Sequence, residues 1–344
     1  MSDARLTREG LRDAQRAREA LPGEKGGRHR RRGRRGGGTP ATERFRSYYG
    51  KPIIKRPGWR PLDIAGYLFL GGLAGASAVL AAAAHATGRD RLARAGKVGA
   101  AGAISLSAAA LIHDLGRPER FVYMLRVFKP TSPMSVGSWL LTVFAPAAGI
   151  AAVTDVTGRC PRLGGLATAG AAITGPAIVT YTAVLLCDTA VPAWHEGYRE
   201  MPFVFTGSAM AAAGGLGMLA APAEQTDLAR GAAAVGTALE LTAMTRMRRR
   251  LGPLAEPYHQ GRANLLMRAS EALMATGALA GLAAGGRSRR GAMASGAALI
   301  ASSACTRFGV FEAGLISVAD PKYTVMAQRA DPGPPAGPGS RPSP

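Results

Sequence analysis

The sequence predicts an all-α protein, a polytopic transmembrane helical bundle of about eight helices. Two observations carry the prediction. The 344-residue chain is 47% hydrophobic yet only 6% aromatic. Its apolar residues, mostly Ala, Leu, Gly and Val, gather into blocks of about 20, the length that crosses a bilayer core as a helix. Between the blocks lie polar, Pro-punctuated connectors suited to a membrane surface.

The chain opens on a basic tail, residues 1–46, in which Arg28–Gly38 reads RHRRRGRRGGG. With almost nothing to bury, this tail is predicted to be disordered. The net charge of +21 would suggest nucleic acid in a soluble protein, but here the tail and the loops hold much of it. Solvation of the tail is preferred over binding to anionic lipid or nucleic acid, so nucleic acid is not an expected partner, whereas the apolar blocks make the bilayer one. Arginine pairs occur in the tail, but the next apolar block starts about 25 residues later and is too long for a signal-peptide core, so no cleavable export signal is expected.

A transmembrane domain is expected over residues 47–320, with spans at Leu62–Ala86, Ala95–His113, Ser135–Asp155, Leu163–Cys187, Phe203–Ala221, Leu228–Thr245, Leu265–Gly285 and Ala292–Phe311. The first carries Gly71, Gly72 and Gly75 and the fifth Gly214, Gly215 and Gly217, small-residue spacings that let helices approach closely. Gly175 and Pro176 interrupt the fourth. The sixth and seventh are Ala/Gly-rich and each holds a carboxylate, Glu240 or Glu271; such residues are costly at a helix centre, so these two spans need neighbours to insert. Residues 321–344, ending DPGPPAGPGSRPSP, are predicted to form a disordered Pro/Gly-rich tail.

The three cysteines, Cys160, Cys187 and Cys305, lie on different segments with no C-x-x-C spacing, so the chain is expected to hold no iron–sulfur cluster and no zinc. A b-type haem is not expected either. It needs two histidines at one depth on facing helices, and His85 and His113 end successive spans on opposite sides.

A serpentine chain places the starts of odd spans and the ends of even spans on one membrane face. That face, which also carries the N-terminus, collects Asp63, Tyr67, His113, Asp114, Arg117, Asp188, His195, Glu196, Arg199, Glu200, His259 and Glu271. Ionisable groups in or near a bilayer are costly and commonly mark a substrate or proton route. Asp114 and Asp188 end apolar helices, where a carboxylate opposes the macrodipole and needs a partner; Arg117 and Arg199 are near enough in sequence to serve. Tyr181 precedes Asp188 by two helical turns, about 10 Å along one face. A phenol and a carboxylate at two depths suit a quinone head group, with plain packing of Tyr181 the rival reading. Glu240 and Glu271 each lie about 10 Å inside the same face, placed for a proton path or for hydrogen bonds between helices; the proton path is preferred.

Two connectors concentrate these groups: His113–Leu140, HDLGRPERFVYMLRVFKPTSPMSVGSWL, and Cys187–Phe205, CDTAVPAWHEGYREMPFVF. With YLFLGGLAG in the first span, DLGRPERF, MLRVFKPTSPMSVGSW and YTAVLLCDTAVPAWHEGYREMPFVFTGSA give a sequence that resembles the NrfD/PsrC (polysulfide reductase NrfD) family over roughly residues 47–320. SYYGKPIIK at Ser47–Lys55 looks like the actinobacterial branch often paired with formate-dehydrogenase-type molybdoenzymes. The resemblance implies a haem-free membrane subunit that exchanges electrons between menaquinone and a four-cluster ferredoxin-type iron–sulfur subunit, which in turn serves a molybdopterin catalytic subunit. The chain would then carry no substrate-converting centre of its own. The resemblance assigns Tyr67, Asp114, Arg117, Asp188, His195 and Glu196 to the quinone site. Some family members supply His and Asn from the first helix; here Asp63, Tyr67 and Ser77 are its polar residues, and Asp63 is the substitute.

Loop arginines and lysines are nearly balanced between the faces, and the basic tail tips the N-terminus toward the cytoplasm, whereas well-known family members dock their iron–sulfur partner outside it. The expected location is the cell membrane. Two rival functions remain: a structural anchor with no quinone site, and a small-solute or ion transporter, whose signature would be internal repeats and broken helices. The sequence shows no convincing repeat.

Overall fold

The structure, a computed structural model, describes residues 52–117, 119–284 and 288–330. The basic tail 1–46 and the segment from Asp331 to Pro344 lie outside the described residues. In chain order the helices are α1 (Pro61–Ala86), α2 (Asp90–Leu115), the short α3 (Glu119–Met124), α4 (Pro133–Thr157), α5 (Pro161–Cys187), the single turn α6 (Pro192–His195), α7 (Met201–Ala220), α8 (Asp227–Leu251), α9 (Gly261–Ala284), α10 (Arg289–Ala319) and α11 (Pro321–Ala330). Short 3-10 segments, Ala223–Gln225 and Gly252–His259, precede α8 and α9.

Local chemistry sets the ends. Pro61, Pro133 and Pro161 open α1, α4 and α5, where the missing N–H has no intrahelical partner to lose. Gly116 and Gly158, with φ of 72° and 67°, close α2 and α4 in the left-handed conformation that a glycine adopts without strain. The Ser288 hydroxyl accepts from the Gly291 N–H at 3.1 Å and caps α10.

All eight predicted spans are helices. Six of them (α1, α2, α4, α5, α7 and α10) are long and apolar enough to cross a membrane, so the protein is a multi-pass membrane protein. The two exceptions, α8 and α9, carry Glu240 and Glu271 and pack in the same bundle as α7 and α10.

The eight long helices form two four-helix bundles, α1, α2, α4 and α5 in one and α7, α8, α9 and α10 in the other. In each, the first helix packs on the second and fourth, and the third joins the second to the fourth. The two first helices, α1 and α7, meet at the centre, and each also touches the other bundle's fourth helix. Four spans return the chain to its starting face, so the bundles form a parallel repeat about an axis along the membrane normal. The recurrence lies in helix contacts, while the sequence itself shows no convincing repeat. What recurs is contact geometry: Gly75 faces Gly175 between α1 and α5, and Gly215 faces Gly296 between α7 and α10, so closely that a Cβ on any of the four would strike the opposing backbone carbonyl. Such pairs maximise backbone contact where lipid supplies no hydrophobic drive to associate.

Contacts between helix ends follow the predicted sidedness. On the N-terminal face Asp63 meets His113 and Glu200 meets Arg250; on the other, Arg89 meets Asp227 and Arg94 meets Asp155. The Arg89 guanidinium holds the Asp227 carboxyl down at about 2. Pro321–Ala330 differs from the predicted tail by being helical. Tyr323 and Thr324 are buried on one side of α11, and Lys322 Nζ reaches the Glu256 carboxylate at 2.9 Å. An amphipathic turn with an ion pair has enough to bury and to bond; the Pro/Gly composition begins only at Asp331.

Candidate functional site

The connector between the bundles is mounted rigidly. After α5 ends at Cys187, Asp188 leaves the helix with φ −80° and ψ 38° while its N–H still bonds Val184 O at 2.9 Å. Trp194, fully buried, donates its indole N–H to Val310 O at 2.8 Å and lies between Trp59 and Phe311, ring centroids 6.0 and 5.2 Å away. The Tyr258 hydroxyl donates to Ala193 O at 2.8 Å, and the Ala193 N–H donates to Ser317 Oγ at 3.3 Å. Three separate elements therefore hold α6 in place.

This mount presents His195 and Glu196 outward. His195 Nδ1 sits 3.0 Å from Cys187 O. A carbonyl only accepts, so Nδ1 carries a proton in this contact, and in the neutral tautomer that fits it Nε2 is the acceptor. Asp188, His195 and Glu196 together line a cleft of about 580 Å³, whose remaining walls include Ile53, Ile54, Pro192 and Ala327. One side offers two carboxylates and an imidazole, the other Ile53 and Ile54 with Ala327 between the polar Thr324 and Gln328 of α11. Such a slot can hold a neutral planar ring by its faces while its oxygens exchange protons at the edge.

The other predicted residues fall elsewhere. Tyr67 and Tyr181 are buried, and their phenols meet between α1 and α5 inside the first bundle. The Tyr181 ring fits there because position 137 of α4 is glycine; a Cβ would overlap it. Tyr181 and Asp188 therefore do not line one pocket. The helix that would have aligned them ends one residue before Asp188, which is exposed while Tyr181 points inward.

Asp114 is a helix cap. Its Oδ1 accepts the backbone N–H of Arg60 at 3.1 Å, where α1 begins, so the positive end of a neighbouring helix offsets the carboxylate. The expected pairing with Arg117 is not formed; Arg117 is exposed and, among the described residues, bonds no carboxylate. Arg199 likewise turns from Asp188 to donate to the Tyr198 hydroxyl at 2.8 Å. Asp63 is engaged by His113 Nδ1 at 2.9 Å, away from the cleft.

Inside the second bundle Glu240 is buried, and its Oε1 accepts from Thr306 Oγ1 at 2.6 Å. Thr306 lies 2.6 Å from Ser270 Oγ, which lies 3.1 Å from Ser302 Oγ, a hydroxyl chain joining α9 and α10 to the carboxylate on α8. Close to Glu240 but outside salt-bridge distance is Arg307, wholly buried. Its Nη2 donates to Phe205 O at 2.8 Å and its guanidinium lies 3.8 Å over the Phe205 ring. Among the described residues, Arg307 Nε and Nη1 and Glu240 Oε2 have no hydrogen-bond partner. Glu271, half-exposed, is held by Arg248 at 2.6 Å and does not join Glu240 directly; its chain neighbour Ser270 belongs to the hydroxyl network.

Sequence reasoning missed Arg307, although an arginine well inside the block Ala292–Phe311 was the available signal. It also passed over the bidentate Glu200–Arg250 pair, with Arg250 Nε 2.9 Å from Oε1 and Nη2 2.7 Å from Oε2, and over Lys97, buried in α2 and 2.8 Å from Asp155.

Compared with known families, residues 59–227 match "Polysulphide reductase, NrfD". The match runs from Trp59 through the first bundle, both connectors and α7 to the first residue of α8. No curated protein matches the chain.

Proposed function

We propose that this chain, whose residues 59–227 match the polysulphide reductase NrfD family, belongs to that family and is the cell-membrane subunit of a quinone-linked oxidoreductase complex. In this reading it exchanges electrons between menaquinone or menaquinol and a four-cluster ferredoxin-type iron–sulfur subunit, and a molybdopterin subunit carries the substrate-converting centre. The observation that carries the reading is the cleft at Asp188, His195 and Glu196.

The residues fit a quinone. The ring needs apolar walls, which Ile53, Ile54, Pro192 and Ala327 provide, and proton-exchanging partners at its oxygens. Bound there, the quinone takes up or releases two electrons with two protons. His195 Nε2 accepts a proton from a quinol hydroxyl or, once protonated, donates one to a quinone oxygen, while the bond to Cys187 O keeps the imidazole aimed. Asp188, exposed at the mouth, passes protons to and from water. Tyr67 and Tyr181 brace the wall between α1 and α5 behind this face. Glu240, with its hydroxyl chain, is the interior proton group of the second bundle, and Glu271 lies on its outer side.

The test is menaquinone-analogue reduction by the assembled complex, comparing wild type with Asp188→Asn at matched partner content. The expected result is turnover reduced about tenfold or more, in the range of losing one acid–base group, with the complex intact. Unchanged turnover would identify the chain as a structural anchor, and loss of the complex would make Asp188 a structural carboxylate.

The same face supports partner docking. Between α2 and α4 the first connector exposes Val122, Tyr123, Val127 and Phe128 among Arg117, Arg120 and Arg126, an apolar patch with a cationic rim suited to an acidic soluble partner. Arg117→Glu is expected to weaken co-purification of the iron–sulfur subunit about five- to tenfold at low salt, and less at high salt. Equal recovery at both salt concentrations would move the docking surface off this connector.

A further inference from the structure

On the face opposite the quinone cleft, the seam between the two bundles opens into a second cleft of about 730 Å³, walled by α2, α7, the start of α10 and the loop at Pro222–Glu224. Its rim and floor differ in chemistry. Arg91, Arg94 and Arg289 stand at the rim; Ala95, Val98, Leu216 and Ala220 line the part that runs along the helices. From Arg91 to Val98 is about 10 Å along α2 by the rise per residue, roughly the drop from a lipid phosphate to its first methylenes. Val98 is 46% exposed although it lies two turns inside an apolar helix, so its outer surface faces the cleft and the hydrocarbon.

The rim carries excess positive charge. Arg94 is shared with Asp155 at 2.8 Å. Arg289 donates to Met218 O and Ala221 O at 2.6 and 2.8 Å and also to Leu219 O, closing the C-terminus of α7 without neutralising its own charge by a carboxylate. Arg91 forms no ion pair among the described residues; only its backbone N–H is engaged, by Gln225 Oε1 at 2.9 Å. Against these three cations the lining holds one carboxylate, Glu224. Arginines that merely snorkel point outward from single helices; here two helices from different bundles aim guanidinium groups at one slot.

We propose that this seam is a binding site for one anionic phospholipid, its phosphate among Arg91, Arg94 and Arg289 and an acyl chain along Val98, Leu216 and Ala220. Basic pockets between transmembrane helices recognise such head groups because charge and hydrocarbon are met at matching depths. The lipid would bridge α2 to α7 and α10 on the face that lacks the long connectors.

The experiment uses the full-length chain, delipidated in mild detergent and given phosphatidylglycerol, phosphatidylcholine or inorganic phosphate, with retained lipid measured by mass spectrometry and stability by thermal unfolding. Phosphatidylglycerol should be retained about tenfold over phosphatidylcholine and should raise Tm, while inorganic phosphate does not. Arg91→Gln, which removes a rim charge, and Val98→Trp, which fills the acyl slot, should each lower phosphatidylglycerol retention about fivefold or more, whereas Arg159→Gln on the same face should not. Equal retention of the two lipids, stabilisation by phosphate alone, or retention unchanged in both seam variants would overturn the proposal.

Discussion

Glu240→Gln should destabilise the protein by about 1–3 kcal/mol, and adding Arg307→Met should restore part of that loss. The guanidinium of Arg307 is fully buried against Phe205 and Gly72, and among the described residues Glu240 is the carboxylate that acts on its charge. An arginine cannot shed its proton to escape burial, so removing the carboxylate leaves a cation with two unbonded guanidinium nitrogens and, among the described residues, no counter-charge beside it. Methionine fills similar space without charge. Thermal and denaturant unfolding of the two single variants and the double variant form a closed cycle. Additive losses would mean that the two charges do not act on each other and that the hydroxyl chain alone holds this layer together.

Gly314→Ala should disrupt the site from behind. A methyl group there would fall inside the Trp194 ring, and that ring cannot retreat, because its N–H is bonded to Val310 O and it lies between Trp59 and Phe311. Overpacking of this kind costs about 1–3 kcal/mol, and the strain falls on the turn that carries His195 and Glu196. Quinone turnover should drop about tenfold or more, since small misplacements of acid–base groups are amplified in rate. Trp194 emission should shift to the red as the ring is pushed toward water. Trp194→Phe in the same chain, by shrinking the ring, should recover part of the turnover. A Gly314→Ala protein with native emission and native turnover would show that α6 is not positioned by Trp194.

Much of this architecture is legible in the residues. Length and apolarity mark the spans because a bilayer imposes one length on every crossing, and alternation of faces then sorts the polar groups with no further information. The same logic found Asp188, His195 and Glu196 together, since one loop carries all three. It failed where the deciding fact was the end of a helix or a contact between distant segments. A seven-residue spacing aligns Tyr181 with Asp188 only while the helix continues, and the sequence does not show that α5 stops at Cys187. Asp114 was given a charged neighbour when its partner is a backbone N–H 54 residues away, a donor every residue possesses and no pattern distinguishes. The repeat was hidden because Gly75–Gly175 and Gly215–Gly296 are matched by the closeness of two backbones, and many sequences can satisfy that requirement.

The loop from Asp188 to Glu200 ends one bundle and begins the other, so the cleft is built from the joint between two nearly self-contained halves. Its walls come from both sides of that joint: Asp188 follows the last helix of the first half, and Glu196 precedes the first helix of the second. A change of angle between the halves about their α1–α7 contact would therefore act on the cleft through the loop that joins them. Under the proposed function, a partner that grips both connectors would touch this joint and the proposed proton-exchanging residues at once.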